Sequence, residues 1–434
     1  MATLRAFRAL RFTQQAGKSE QLTCPPYDII SEQQRLAYLQ RNPNNIIRLE
    51  LPRDGENPYL QAGSVLRGWL QDGTLKQDEK DAYYIYEIDF STDGMDGCPV
   101  GGGRHSVSGV IAQVHLEEFS KGIVLPHEET LSKAKADRFE LMKATNCNFS
   151  NIYSLYMDSD GGEPTEGLLQ QAMQATPDVE MTDEVGCIHR LWIVTDEAWI
   201  ERLTRKFENT RLYIADGHHR YETALNYRNT VREQGVQGDG ADYVMMYLVE
   251  MDHPGLVVFP THRLLRDLPA FDKEALLAAC EEHFAVVRDL PIDGMNEQML
   301  AAYARGEKAF ALYVGGDTYD CLTLRDIDSL DQLLPEYPLS VRRLDVQILH
   351  SLVLERLLGI DKENMKNQIN LTYTRSLPQA LEAVREGTAQ ACLLLNPTRV
   401  GEIRDVASAG AKMPQKSTYF YPKLITGLTM NSLE

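Results

Sequence analysis

The stretch Arg211-Leu-Tyr-Ile-Ala-Asp-Gly-His-His-Arg-Tyr-Glu-Thr-Ala-Leu225 constrains the fold more than any other part of the chain. Leu212 to Ala215 reads as a short buried strand, and Asp216-Gly217 breaks it. His219 to Tyr227 then has helical spacing, with Tyr221, Ala224 and Leu225 on one face. A strand that passes through a tight glycine turn into a helix points to an α/β architecture. Such a turn aims free backbone N–H groups and the positive end of a helix at one point, which favours a bound anion. Around that point stand a carboxylate (Asp216), two imidazoles (His218, His219), a guanidinium (Arg220) and a second carboxylate (Glu222). Any one of these is ordinary in a turn or a helix cap. Their density together marks a site.

The rest of the composition narrows the class. At 434 residues the chain is long enough for two or three domains with substantial cores. Lys plus Arg is 44 against 63 for Asp plus Glu, a formal net charge of -19, so most of the surface repels nucleic acid and anionic membranes. Against that background a local cluster of cations is informative. The seven cysteines are odd in number and never spaced Cys-x-x-Cys, which predicts free, mostly buried thiols in a reducing compartment. No apolar run is long enough to span a bilayer and the N-terminus lacks a signal core, so a cytoplasmic location is expected.

Along the chain, Pro25-Pro26 forces an extended loop, and Ser31 with Gln34 forms a capping-box pattern ahead of a helix carrying Leu36 and Leu39. Ile46 to Leu51 reads as a strand. Asn57 to Leu70 reads as a helix whose Leu60, Val65, Leu66 and Trp69 meet on one side. Tyr83 to Phe90 and Gly109 to Leu116 read as strands, joined by a glycine-rich tip. Strands and helices continue to Pro260, where His262 and Arg263 follow a strand end and are expected to line a pocket. Beyond Leu265 helices and strands alternate, with a long helix over Leu344 to Leu358. The polar, aromatic segment Met413 to Lys423 then either folds over the site or docks on a neighbouring subunit.

A second segment carries chemistry: Leu125-Pro-His-Glu-Glu-Thr-Leu-Ser-Lys-Ala-Lys-Ala-Asp-Arg-Phe139. Pro126 and Thr130 put His127, Glu128 and Glu129 in a loop before a helix. Lys133, Lys135 and Arg138, just after two carboxylates in an acidic protein, look like an anion-binding cluster. Phosphoryl transfer needs cations or amides on the transferring group, a metal between phosphates, and a base near the acceptor hydroxyl. The turn from Asp216 through Gly217 and His218 to Arg220 can supply amides, His219 and Arg220, and Asp216 is a carboxylate of the kind that holds Mg²⁺ or Mn²⁺.

Asp216-Gly-His-His-Arg220 resembles the signature of the ParB/sulfiredoxin-like superfamily and, within it, of the free serine kinases. Over nearly its whole length the chain also resembles an uncharacterised prokaryotic family, domain of unknown function family 1015. That resemblance rests on Cys24-Pro-Pro-Tyr-Asp-Ile-Ile30, Val124-Leu-Pro-His-Glu-Glu-Thr130, the central stretch, Pro260-Thr-His-Arg-Leu264 and Met413 to Lys423. The kinase resemblance implies Glu128 as the base that takes the hydroxyl proton, with Glu129 and Glu222 as substitutes. It also implies that Lys133, Lys135 and Arg138 bind phosphates, and that free L-serine is the acceptor. The donor stays open among ATP, ADP and pyrophosphate.

The expectation is therefore an α/β protein with mixed sheets: an N-terminal segment (1–100), a ParB/sulfiredoxin-like site region (101–264) and a C-terminal α/β region (265–434). It acts as a kinase on a small hydroxylated molecule. Catalysis falls to Glu128, Asp216 and His219, and substrate contacts to His127, Glu222, His262 and Arg263. Its partners are substrate and donor, without nucleic acid or membrane, and a homodimer if the last segment docks across subunits. One rival is a metal-dependent phosphohydrolase using His127, His218, His219 and Asp216, which lacks the His-Glu-x-x-His spacing of a zinc helix. The other is a non-enzymatic ParB-like nucleotide- or DNA-binding module, which the net charge opposes.

Overall fold

The computed structural model describes residues 1–128, 130, 132–158 and 164–434, without the side chains of 132–134. Two large sheets organise it. The first has the strand order Val124–Leu125, Leu212–Asp216, Ile152–Tyr156, Tyr243–Glu250, Arg104–His115, Tyr83–Ser91, Ile188–Val194, Val179–Thr182, with Leu4–Arg5 also paired to Arg104–His115. It is mixed: Leu212–Asp216 runs parallel to Val124–Leu125, and Tyr243–Glu250 runs parallel to Ile152–Tyr156. The second is antiparallel throughout, in the order Phe284–Pro291, Thr318–Leu324, Ala309–Tyr313, Ala391–Leu395, His262–Leu265, Leu371–Thr374. The expected α/β class with mixed sheets is what forms, and the N-terminal strands Leu4–Arg5 and Tyr83–Ser91 are members of the first sheet.

Both faces of the first sheet are covered, which explains why its strands are apolar at successive positions. Tyr83, Ile85, Val110 and Ala112 pack on one face with Trp199, Leu203 and Phe207 of one helix and Tyr221, Ala224 and Leu225 of another. Tyr84, Tyr86, Ile88, Tyr213 and Tyr247 face the other way. They share one core with Phe284, Phe310, Leu312 and Leu393 of the second sheet. The two sheets are thus joined by a continuous apolar layer. A short ladder adds to the junction, Val257–Phe259 pairing antiparallel with Tyr419–Tyr421 near the end of the chain.

Several local expectations are corrected. Ile46 to Leu51 holds a helical turn, Ile47–Glu50, not a strand. Asn45 accepts a hydrogen bond from the Ile47 N–H at 2.9 Å, as a capping side chain does, and Ile46, Ile47 and Leu49 are all buried. A short apolar run buried all round carries no period that separates helix from strand. Ser31 and Gln34 do form the capping box, but Arg35 and Tyr38 are the buried residues of that helix and Leu36 is exposed. In the helix Pro58–Gln71, Leu66 and Trp69 point inward whereas Leu60 is 60% exposed. The long helix near Leu344 begins as α over Asp345–Ile348 and widens to π over Leu349–Glu355. All seven cysteines are free and buried. No helix among the described residues is long and apolar enough to cross a membrane.

Leu393 is fully buried where the shared core meets the second sheet, so Leu393→Ala should cost about 2–5 kcal/mol of unfolding free energy. Leu60→Ala should cost less than about 0.5 kcal/mol, because Leu60 is on the outside. Urea titration of both variants measures the contrast, and equal costs would contradict this packing.

Candidate active site

The strand Leu212–Asp216 ends in an irregularity: Ile214 pairs with Ser154 and Asp216 with Tyr153, so Ala215 is the extra residue of a bulge. Bulges re-aim side chains next to sites. Gly217 follows at φ 98°, and the helix His218–Glu233 starts immediately after it. A Cβ on Gly217 would stand 3.0 Å from the Arg220 guanidinium, so both the backbone angle and the close approach require glycine here.

Both oxygens of Asp216 are engaged. Oδ2 accepts from Arg220 Nη2 at 2.7 Å, and Oδ1 accepts from Lys423 Nζ at 2.7 Å. Burial alone would raise the Asp216 carboxyl, but Lys423 and Arg220 hold it well below the usual carboxylate range. Arg220 also donates to the Asn151 carbonyl. The last segment of the chain is therefore tied to the turn by a half-buried ion pair. It folds over the site within the same chain.

The turn opens on a cleft of about 630 Å³. Its walls are Asp216 to Arg220, the Tyr27-Asp28 loop, Glu128, the end of the second-sheet strand Leu371–Thr374 with Arg375 and Ser376, and Lys416, Thr418, Tyr419 and Lys423. Burial raises the Glu128 carboxyl, with Lys416 pulling it the other way. Lys416 donates its backbone N–H towards Glu128 Oε1 at 3.4 Å and holds φ 58°, a left-handed conformation uncommon outside glycine. Arg375 and Lys423 both sit over the Tyr419 ring, at 3.6 and 4.6 Å from its centroid. Burial keeps the His219 imidazole below its ordinary value.

Two histidines build the wall behind. His127 Nδ1 lies 2.7 Å from the Ile214 carbonyl, so that nitrogen carries the proton and Nε2 accepts from the Thr418 hydroxyl at 3.1 Å. His218 Nε2 accepts the His127 N–H at 3.2 Å, and the two rings meet edge-on at 4.6 Å. Burial holds both imidazoles neutral, His127 lowered to about 4 and His218 well below its ordinary value.

The structure thus brings Glu128, Asp216, Gly217, His218, His219 and Arg220 to one cleft. Among the described residues, His127, Lys135, Arg138, Glu222, His262 and Arg263 are not part of that lining. Lys135 donates to Glu222 Oε2 at 2.6 Å, and Thr130 donates to the same oxygen at 2.8 Å. Arg138 is buried with Glu50, donating to its carbonyl at 2.7 Å and to Asp137 at 2.6 Å. These two cations thus meet carboxylates and a carbonyl away from the cleft lining. His262 is buried, its Nδ1 accepting from the Leu395 N–H at 3.4 Å. Arg263 is buried behind the Lys416 carbonyl, donating to it at 3.3 Å. Glu129 and the Lys133 side chain lie outside the described residues. Cations that sequence reasoning did not assign to the site line the cleft: Lys416 and Lys423, visible only as members of a polar loop, and Arg375, which had no signal. Asp28 was visible only within a resembling segment.

Among the described residues no group of three His, Cys, Asp or Glu is arranged to hold a metal ion. The fold and cleft define a mixed α/β protein with a cationic, carboxylate-bearing cleft at a helix N-terminus. The chain belongs to the protein family of unknown function DUF1015, whose model matches residues 4–347. That match stops before Arg375, Lys416 and Lys423. No curated protein sequence matches the chain. Among solved structures, it is similar to a conserved hypothetical protein from Pyrococcus furiosus (13% identity, 70% of this chain and 89% of that one, TM-score 0.33). It is also similar to a mutant free serine kinase in complex with AMP (14%, 72% and 87%, TM-score 0.36). A third is SbnI with C-terminal truncation from Staphylococcus aureus (11%, 74% and 86%, TM-score 0.35). The functional reading rests on the cleft itself.

The histidine wall has a pH consequence. His127 titrates near about 4 when folded and near its ordinary 6.5 when unfolded. The unfolded chain takes up the proton first, so this contribution is complete above pH 6.5 and is lost as pH falls towards 4. His127→Gln should flatten the fall in urea midpoint across that window, and an unchanged slope would show that His127 does not contribute.

Proposed function

We propose that the protein is a small-molecule kinase that transfers a phosphoryl group from ATP, ADP or pyrophosphate to a hydroxyl, with free L-serine as the acceptor the motif resemblance implies. The observation that carries this reading is the shared cleft. A carboxylate with raised proton affinity, the amide end of a helix, and cationic side chains all open on one space. Lys416 and Arg375 make no ion pair among the described residues, which leaves their charges available to phosphate oxygens.

In this reading Glu128 takes the proton of the acceptor hydroxyl. The hydroxyl oxygen bonds to the terminal phosphorus of the donor as the bond from that phosphorus to its bridging oxygen breaks. The leaving phosphate carries away the electron pair, and Lys416, Arg375 and the backbone amides after Gly217 meet the developing charge. His219 lies on the same wall as a donor contact. The cleft carboxylates include Asp28, exposed and without an ion pair among the described residues, and Asp216. These hard oxygen ligands suit Mg²⁺ or Mn²⁺ in kind: Asp28 is open to the ion, and Asp216 would join it only by giving up one of its two cation partners. When bound, it would neutralise charge on the donor phosphates.

A phosphorus NMR screen of ATP, ADP and pyrophosphate against small hydroxylated metabolites, L-serine included, tests the proposal. A new phosphomonoester supports it. Release of orthophosphate alone, whatever acceptor is present, would replace the kinase with a phosphohydrolase.

Two variants locate the chemistry. Glu128→Gln should lower turnover by about 10²–10⁴-fold and leave donor affinity within about twofold. In the wild type the acidic limb of kcat/KM should sit above an ordinary glutamate value, because burial raises Glu128. Lys416→Ala should instead weaken donor binding by about tenfold by calorimetry. Unaltered donor affinity in that variant would take Lys416 out of the phosphate site.

A further inference from the structure

A second cavity, of about 480 Å³, lies beside the cleft. The two share one wall residue, Tyr373. Met413, Pro414 and Gln415 line the second cavity and the next residue, Lys416, lines the cleft, so a single strand of chain separates them. The cavity is within the range that holds metabolites. Lys362, Lys366 and Lys412 stand at its wall against two glutamates, an excess of positive charge in a chain of net charge -19. Met413 and the Tyr373 ring supply polarisable apolar surface, the kind on which planar groups rest. The Tyr373 hydroxyl is enclosed and has no hydrogen-bond partner among the described residues.

One buried side chain touches the walls of both spaces. Arg263 is 1% exposed and pairs with no carboxylate among the described residues. Its Nε and Nη2 lie 3.3 and 3.2 Å from His350 Nε2, and His350 lines the second cavity from the π-helical turn. Its Nη2 also donates to the carbonyl of Lys416, the residue in the left-handed conformation on the cleft. A buried cation without a counter-ion attracts an anion from either side, and an anion on one side uses the attraction available to the other.

We propose that the second cavity is a binding site for a planar, anionic heterocycle of the nucleoside monophosphate class, coupled to the cleft through Arg263 and Lys416. Its ligand and an anion in the cleft weaken each other's binding, reciprocally and to a finite limit. The binding half stands independently of the kinase proposal. The coupling half rests on that reading of the cleft as a polyphosphate site.

Calorimetry on the full chain with AMP, GMP and UMP, with and without saturating pyrophosphate, tests both halves. The double variant Lys362→Glu, Lys366→Glu changes exposed wall residues on the second cavity alone. It should weaken nucleoside monophosphate binding by about tenfold while pyrophosphate affinity stays within about twofold. In the wild type, saturating pyrophosphate should raise the Kd of the monophosphate by a limited factor of about 3–10. Failure of all three monophosphates to bind at about 1 mM, or equal affinity in the double variant, overturns the site. Displacement that grows without limit as pyrophosphate rises shows one shared site and also overturns it. Monophosphate binding without any pyrophosphate binding overturns the coupling and the cleft reading but keeps the second site.

Discussion

The contact on which the site depends is the half-buried ion group of Lys423, Asp216 and Arg220. Removing a carboxylate from water is costly, and only opposite charges at hydrogen-bond distance offset it. Asp216 has one such partner on each oxygen, both at 2.7 Å. Arg220 comes from the helix that begins beside Asp216, so the turn closes on itself. Lys423 comes from 207 positions further along the chain, so the same carboxylate also fixes the terminal segment. The last loop is held by that pair and by the ladder to Val257–Phe259, and it delivers Lys416, Thr418 and Tyr419 to the cleft.

The two carboxylates at the centre are pushed in opposite directions by their surroundings. Asp216 is matched by close cations and stays ionised. Glu128 is half-buried, with a long contact to the Lys416 amide among the described residues, and burial raises its proton affinity. Such an environment holds one acid ionised and raises the proton affinity of the other. Neither the turn nor the Glu128 loop would do this alone. The loop is positioned by His127, whose protonated nitrogen meets the Ile214 carbonyl of the site strand, and by His218, which accepts the loop's amide. The histidines that look most reactive in the sequence include two that are buried and held neutral.

What was legible in the sequence follows from range. The strand, glycine turn and helix at Leu212–Tyr227 are local, and the density of polar groups there identified the site. Glu128 was legible because its segment resembles a known motif. The cations expected beside Glu128 are not in the cleft lining. Lys135 and Arg138 lie close to Glu128 in sequence, but they stand on the helix that follows it, where they meet Glu222, Asp137 and Glu50. Arg375 and Lys416 reach the cleft only through the pairing of distant segments, which no spacing along the chain records. Ile46 to Leu51 failed differently: a buried apolar run has no polar face from which to read a period.

The position of the cleft follows from the two sheets. The strand Leu212–Asp216 ends at Asp216 and the strand Leu371–Thr374 ends at Arg375, so each sheet points the carboxyl end of one strand at the same space. Ligands in open α/β structures bind outside such ends, where side chains leave the ladder and backbone amides become free. Here the two ends differ in kind. The first sheet supplies a helix N-terminus and ionised groups, and the second supplies Arg375 and a hydroxyl-rich edge of Thr372, Thr374 and Ser376. The matched family segment ends at residue 347, inside the C-terminal region, so a chain cut there would keep the turn and Glu128 but lose the second wall and Lys423. Asp216 would then keep only Arg220 of its two cations. The terminal segment is thus as much a part of the site as the motif that reveals it.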